Sequence, residues 1–339
     1  MALLGVGGLV TSHGVGMAVP DWPTSYGYNM FALPFHFWKG GVFYEHSHRL
    51  VASGVGLLTM ILAAWLWIAE SRRWLRWLGV IALVAVVFQG VLGGLRVVLF
   101  KDQIGVFHAT LAQLFFALVC AIALFTSRWW ASTDPNASPP SAEGLETEKN
   151  ERQATRATSC GFKQLLLATT ILIFLQLVIA ATMRHQHAGL AISDFPLAHG
   201  KLWPDMSDAA LARYNQQRVE VTSFNPITAF QIGLQMVHRV VALLILIGVS
   251  ASAWLGARTP MRRLAFTWLG IILVQVALGA WTIWSNKAAD VATAHVVVGA
   301  LSLVTGVLGC IISYRRLTGS NTPLIVQDSQ CTTPRAVTV

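Results

Sequence analysis

Long apolar runs separated by short polar or basic stretches dominate the chain. A membrane-spanning helix needs about 20 mostly apolar residues. Seven segments meet that length: 47–69, 76–99, 106–126, 163–183, 229–256, 262–284 and 291–314. Residues 1–10 are apolar and glycine-rich but only half a span long, which predicts an additional first helix that is truncated. The pattern therefore predicts an all-α membrane protein with eight transmembrane helices.

Arginines cluster at the ends of alternate helices in this pattern. They follow the second, fourth, sixth and eighth helices, in that order: Arg72, Arg73 and Arg76; Arg128; Arg258, Arg262 and Arg263; Arg315 and Arg316. Because short cytoplasmic loops are enriched in Lys and Arg, we expect these ends in the cytoplasm. The segments 11–44 and 184–228 are then expected on the outer side.

Residues 127–162 interrupt the apolar pattern with Pro, Ser and charged residues, a composition typical of a flexible connection. We therefore expect an N-terminal bundle over 1–126, a cytoplasmic linker over 127–162 and a C-terminal bundle over 163–316. The remainder, 317–339, is threonine-rich and expected to be a disordered tail.

Composition supports the membrane class, since 55% of the residues are hydrophobic and only 12% are charged. A net charge of +9 could suggest nucleic acid. The basic residues instead flank apolar runs, which favours topology anchors, and no nucleic-acid partner is expected. The four cysteines, Cys120, Cys160, Cys310 and Cys331, form no CxxC pair and indicate neither a disulfide framework nor a thiolate metal site.

The two halves of the chain repeat one plan. GMAVPDWPTSYG at 16–27 matches GLAISDFPLAHG at 189–200, and HRLVA at 48–52 matches HRVVA at 238–242. Further along, FQGVLGG at 88–94 matches VQVALGA at 274–280, and VFHATLA at 106–112 parallels TAHVVVG at 293–299. Because each half holds four spans, the repeat predicts two pseudo-symmetric four-helix bundles related by an axis along the membrane normal.

Four of the ten histidines recur at matched positions: His48 and His108 in the first half, His238 and His295 in the second. Each pair begins the second and fourth helices of its half. Two imidazoles from facing helices are a common way to ligate heme iron. Alternatively, each histidine only hydrogen-bonds a neighbouring helix, but repetition of the pair favours heme. Zinc or copper would need further close ligands, and the other histidines share no pattern.

Glu45 breaks the symmetry, because the matched position in the second half is Gln235. Glu45 precedes His48 by three residues, so both lie on one helix face. It is a candidate for proton transfer beside a reactive centre, or else a carboxylate that complements the helix dipole. The asymmetry suggests that the first half performs chemistry and the second carries electrons. Arg49 and Arg239 follow the matched histidines and could contact heme propionates or snorkel to headgroups.

These motifs resemble the heme A synthase family over roughly residues 1–316. The resemblance rests on PDWP at 20–23, EHSHRL at 45–50, GVLGG followed by FHATLAQ, and then DFP, VHR and AHVVVG in the second half. It implies an oxidoreductase that converts the C8 methyl group of heme O into the formyl group of heme A. It further implies that His48 and His108 bind heme O as substrate, that His238 and His295 bind a heme b cofactor, and that Glu45 is the catalytic acid. The cysteine pair that some members carry in each outward loop is absent here.

The resemblance also implies the surroundings in which the protein works. A heme O synthase and heme A-type oxidases are expected in the same pathway, with an unidentified electron-transfer partner and membrane lipid around the protein. The expected location is the bacterial cytoplasmic membrane, with the mitochondrial inner membrane as the alternative. A diheme b-type membrane cytochrome would use the same four histidines for electron transfer alone, and a transporter would bind no heme.

Overall fold

The computed structural model describes residues 1–132, 147–217 and 226–318. Within these ranges the regular secondary structure is helical, apart from two isolated β-bridges. The α-helices are α1 (Ala2–Ser12), α2 (Gly40–Ala69), α3 (Arg73–Leu99), α4 (Asp102–Thr126), α5 (Arg128–Ser132), α6 (Thr147–His185), α7 (Asp208–Gln216), α8 (Ala229–Gly256), α9 (Arg262–Trp284) and α10 (Ala289–Thr318). Two short 3-10 helices, Met30–Ala32 and Phe35–Phe37, lie in the first outward loop.

Seven of these helices are long and apolar enough to cross a membrane. Their bounds are Gly40–Ala69, Arg73–Leu99, Gln103–Thr126, Gly161–His185, Ala229–Gly256, Arg262–Trp284 and Ala289–Arg316. Helix α1 is a shorter apolar helix at the place of the first predicted span. Large apolar side chains such as Ile68 and Trp254 project outward from the spans, as a hydrocarbon surrounding requires. The prediction of an all-α, multi-span membrane protein is confirmed.

Two parts of the segment expected to be a flexible cytoplasmic linker, 127–162, are helical. Helix α5 occupies 128–132, and α6 begins at Thr147 rather than near 163. The stretch from 147 onward is rich in Glu, Lys, Gln, Ala and Arg, which are good helix formers although polar, so a search for apolar runs does not detect it. Residues 133–146 of the expected linker and 319–339 of the expected tail lie outside the described residues, as does Cys331.

The helices pack as two bundles that share α1. In the second half α6, α8, α9 and α10 surround a core that includes Phe162, Leu166 and Trp268. In the first half α2, α3 and α4 pack in sequence. Helix α1 packs against α2 and also against α10 of the other half, while α4 contacts α6 and α10.

A partly buried arginine fixes α1 between the halves. Arg184 of α6 donates hydrogen bonds to the carbonyl oxygen of Gly8 and to Oγ of Ser12, both at 2.6 Å. The Ser12 hydroxyl in turn lies 3.1 Å from Oγ1 of Thr293 on α10. The first helix is therefore bonded to two helices of the second half.

The matched outward loops fold in the same way. Asp21 accepts hydrogen bonds from the backbone N–H groups of Tyr26 and Gly27, and Asp194 accepts from those of His199 and Gly200. Each loop closes on a glycine with a φ of +76° or +78°, a conformation that favours glycine. Burial alone would raise the pKa of Asp21, but hydrogen bonds from Gly27, Thr24 and Tyr26 outweigh it and hold that pKa below 3.8. The sequence repeat is therefore also a structural repeat.

The tight packing of the second bundle makes Gly306 on α10 sensitive to substitution. A Cβ added there would lie 2.6 Å from Oγ1 of Thr170 and 2.9 Å from Cζ2 of Trp268. We expect Gly306→Ala to lower the free energy of unfolding by about 1–3 kcal/mol through overpacking. Gly270→Ala on α9 is the control, because nothing lies within 4 Å of an added Cβ there. Equal thermal unfolding temperatures of the two variants in detergent would contradict this packing.

Candidate functional site

The four matched histidines lie on four different helices, close to the outer ends of the spans. His48 is on α2 and His108 on α4, and the second half repeats this with His238 on α8 and His295 on α10. The two imidazoles of each pair are near enough to interact electrostatically. The structure thus brings together both pairs that the sequence pattern predicts.

Each of the four rings has a buried Nδ1 atom without a hydrogen-bond partner among the described residues. An unsatisfied buried polar group costs about 1–3 kcal/mol, and buried polar atoms are nearly always bonded. Four such atoms at matched positions indicate that these rings serve something other than helix packing. Neutral imidazole nitrogen is also a suitable donor for heme iron, so the residues present fit a bis-histidine heme in each half.

Glycines on the neighbouring helices make room for three of these rings. A Cβ added to Gly7 of α1 would lie 3.0 Å from Cε1 of His48. The corresponding distance is 3.3 Å between Gly93 of α3 and His108, and 3.1 Å between Gly279 of α9 and His295. Gly93 and Gly279 occupy matched positions of the repeat. The same close approach of ring to helix is therefore built twice.

Three glutamines support the histidines, a feature that our sequence analysis missed. Nε2 of Gln89 donates to the backbone oxygen of His108 at 2.9 Å, and Nε2 of Gln176 donates to that of His238 at 2.8 Å. Nε2 of Gln275, which matches Gln89 in the repeat, lies 3.4 Å from Nε2 of His295. The recurrence of Gln in FQGVLGG and VQVALGA is the signal that could have revealed two of them.

Glu45 is buried, with 4% of its surface exposed. Its Oε2 accepts a hydrogen bond from the backbone N–H of Val19 at 2.8 Å, and its Oε1 pairs with Nη2 of Arg49 at 2.7 Å. Gln235 occupies the matched place, where its Oε1 accepts from the backbone N–H of Ile192 at 2.7 Å. The two halves therefore share one loop-to-helix bond, but only the first half has a carboxylate there.

Arg49 and Arg239 hold the outward loops onto their helices. Nη1 of Arg49 donates to the carbonyl oxygens of Asp21 and Thr24, at 2.7 and 3.0 Å. Arg239 donates to the carbonyl oxygens of Leu197 and Asp194, at 2.8 and 2.7 Å. Both arginines thus anchor a loop, and a contact with heme propionates stays a prediction.

The remaining histidines are dispersed. His13 stacks on Tyr44, His199 stacks on Tyr214, and His46 lies 3.4 Å from the hydroxyl of Ser25. Across the described ranges no group of three or more His, Cys, Asp or Glu side chains could hold a metal ion. The matched histidines are therefore the metal-binding candidates in this part of the chain.

Fold and site together define a class: a helical, multi-span membrane protein with two matched pairs of buried histidines. Residues 1–307 match the family model COX15-CtaA, described as a cytochrome oxidase assembly protein. The chain belongs to this family.

Curated relatives named heme A synthase are similar to most of the chain. That of Shouchella clausii is 28% identical over 242 residues, which cover 70% of this chain and 66% of the relative. That of Halalkalibacterium halodurans is 27% identical over 270 residues, covering 77% and 76%. That of Geobacillus kaustophilus is 26% identical over 298 residues, covering 85% and 80%.

Loss of either glycine beside a histidine is expected to affect ligand binding at the histidine pair of its own half. Because a methyl group would press on the imidazole, we expect Gly93→Ala to reduce occupancy of the His48–His108 site and Gly279→Ala that of the His238–His295 site. Gly90→Ala on α3, where an added Cβ meets nothing within 4 Å, is the control. Heme content per purified protein measures the effect, and an equal loss from both sites in one variant would argue against separate sites.

Proposed function

We propose that this protein is a heme A synthase, an enzyme of heme A biosynthesis that oxidises the C8 methyl group of heme O to a formyl group. The description of its family, cytochrome oxidase assembly protein, links the chain to the pathway of heme A-type oxidases. The observation that carries the proposal is the buried Glu45, present beside one of two otherwise matched histidine pairs. A carrier of electrons alone would not require this difference between halves.

The proposal gives each histidine pair its own heme. His48 and His108 hold heme O as the substrate, while His238 and His295 hold heme b as the cofactor. The unpartnered Nδ1 atoms and the glycines against the rings support a ligand at each pair, and the asymmetry at Glu45 is the reason for assigning the substrate to the first. When bound, heme b supplies a one-electron redox centre beside the substrate half.

Glu45 is the group we assign to proton transfer. Oxidation of a methyl group to a formyl group releases protons as well as electrons at that carbon, so a base is needed beside it. With His48 and His108 both bound, the substrate iron keeps no open position, which favours water as the source of the new oxygen atom. Glu45 would accept a proton from this water, and Arg49, 2.7 Å away, keeps the carboxylate in place.

The reaction also sets the partners that the protein needs. A heme O synthase supplies the substrate, a heme A-type oxidase receives the product, and a separate electron-transfer partner accepts the electrons. The apolar spans and the bacterial relatives identify a multi-pass protein of the cell membrane, surrounded by lipid.

Heme composition tests the assignment of the halves. Protein purified in detergent from cells that make heme O is expected to yield heme b together with heme O or heme A on chromatography of the extract. His48→Ala and His108→Ala should remove heme O and heme A but keep heme b, because the other pair is intact. His238→Ala and His295→Ala should do the reverse. Heme b alone in the unmodified protein would indicate a diheme b-type cytochrome, and no heme at all a transporter.

Replacing Glu45 with Gln tests its chemical role. We expect Glu45→Gln to fold and to retain both hemes, because Gln235 makes the equivalent bond in the second half. Conversion of heme O to heme A should fall about 100-fold, the typical contribution of a positioned acid or base. Glu70→Gln is the control, since Glu70 pairs with Arg72 where α2 ends, away from the histidines. A normal rate of heme A formation in Glu45→Gln would exclude the proposed role.

A further inference from the structure

Trp22, in the first outward loop, lies against helix α3 beside the His48–His108 pair. A Cβ added to Gly94 would overlap the Trp22 indole ring, so the ring packs directly on the helix backbone. The preceding residue of α3, Gly93, lies against the ring of His108. Trp22 and His108 therefore contact consecutive residues of one helix.

The backbone of this loop is tied to the helix that bears the other histidine. Arg49, the residue after His48, donates to the carbonyl oxygen of Asp21, the residue before Trp22. Trp22 therefore extends from α2 to α3 at the outer end of the histidine pair. Trp22 remains 40% exposed, and its indole packs on Gly94.

The second half places its matched aromatic residue differently. Phe195 lies beside Arg239, with the guanidinium carbon 5.5 Å from the ring centre, and beside the ring of Trp284 at 6.1 Å. Nε1 of Trp284 also donates to the carbonyl oxygen of Phe195 at 3.3 Å. The first half has Val98 where the second has Trp284, and Gly94 where the second has Ala280. Phe195 is thus partly buried, with Arg239 and Trp284 beside it, whereas Trp22 is 40% exposed.

We propose that Trp22 forms a displaceable outer wall of the substrate heme site, contacts the bound macrocycle and sets how fast that heme enters and leaves. Gly94 has no side chain and so leaves space for the indole ring. This inference rests on the proposed function, since a substrate must exchange in every catalytic cycle whereas a cofactor stays bound. Trp22 at the first site is exposed, whereas Phe195 at the second lies beside Arg239 and Trp284. This contrast matches the difference between an exchanging substrate and a resident cofactor.

Heme transfer to apomyoglobin tests this proposal. The full chain carrying His238→Ala, which empties the second site, is purified with the heme that the first site retains and mixed with excess apomyoglobin. Adding Trp22→Ala should speed transfer about tenfold, because an aromatic contact with the macrocycle is lost. Trp22→Phe should give a smaller increase, and it preserves folding because the second loop carries Phe195 at this place. Phe195→Ala in a His48→Ala chain, which retains only the second-site heme, should change transfer little.

Gly94→Ala provides an independent variant that leaves Trp22 in the chain. The added methyl group should displace the indole and speed transfer as Trp22→Ala does, and the double variant should be no faster than either, because both remove one contact. Gly90→Ala, with open space around its added Cβ, should leave transfer unchanged.

The outcomes separate this proposal from the proposed function. Additive effects of Trp22→Ala and Gly94→Ala, or unchanged transfer in both, would overturn the role of Trp22 whichever heme is bound. Heme b in the first site would overturn the synthase assignment, while the transfer rates would still report on Trp22. A first site that retains no heme would overturn both.

Discussion

The cost of an unpaired polar atom in a water-free bilayer is the constraint on which this structure depends. Hydrocarbon offers no hydrogen bonds, and polar side chains in the spans generally find partners: the hydroxyls of Thr59, Ser252 and Ser302 each donate to the backbone carbonyl four residues earlier. Buried atoms without a partner gather instead around the histidines. They include Nδ1 of all four matched rings and the amide oxygens of Gln176 and Gln275, whose amide nitrogens lie against His238 and His295. The rule is thus broken repeatedly at matched places, which singles out the four histidines as candidates for ligand binding.

Duplication turns each half into a control for the other. The aspartate-closed loops and the arginines that anchor them are common to both halves and are explained by folding alone. Features of one half need a different cause. Two such differences lie near the histidine pairs. Glu45 is replaced by Gln235 in the second half. Trp22 packs on Gly94, whereas its counterpart Phe195 lies beside Trp284. The asymmetry is thus concentrated where a substrate and a resident cofactor would differ.

Apolar periodicity was sufficient to predict the spans, because span length is a property of the chain itself. The repeat singled out the four matched histidines, because matched spacing can also be read from the chain. Contacts between distant segments were beyond that method. The bonds from Arg49 to the loop, the indole of Trp22 on Gly94 and the packing of α1 against α10 depend on three-dimensional approach. Helix α7 and the first turns of α6 were missed because both are polar, and a search for apolar runs does not register a polar helix.

The position of α1 makes the two sites parts of one unit. Gly7 lies against the ring of His48, while the next residue, Gly8, lies against Thr293, two residues before His295. Arg184 bonds the backbone of this same turn to α6. Because protein interiors are close-packed, a shift of α1 would move the surroundings of both histidine pairs together. Helix α1 packs against α2 of the first half and is hydrogen-bonded to α6 and α10 of the second, so it links the surroundings of the two histidine pairs. The two histidine pairs therefore share a helix that holds both in register.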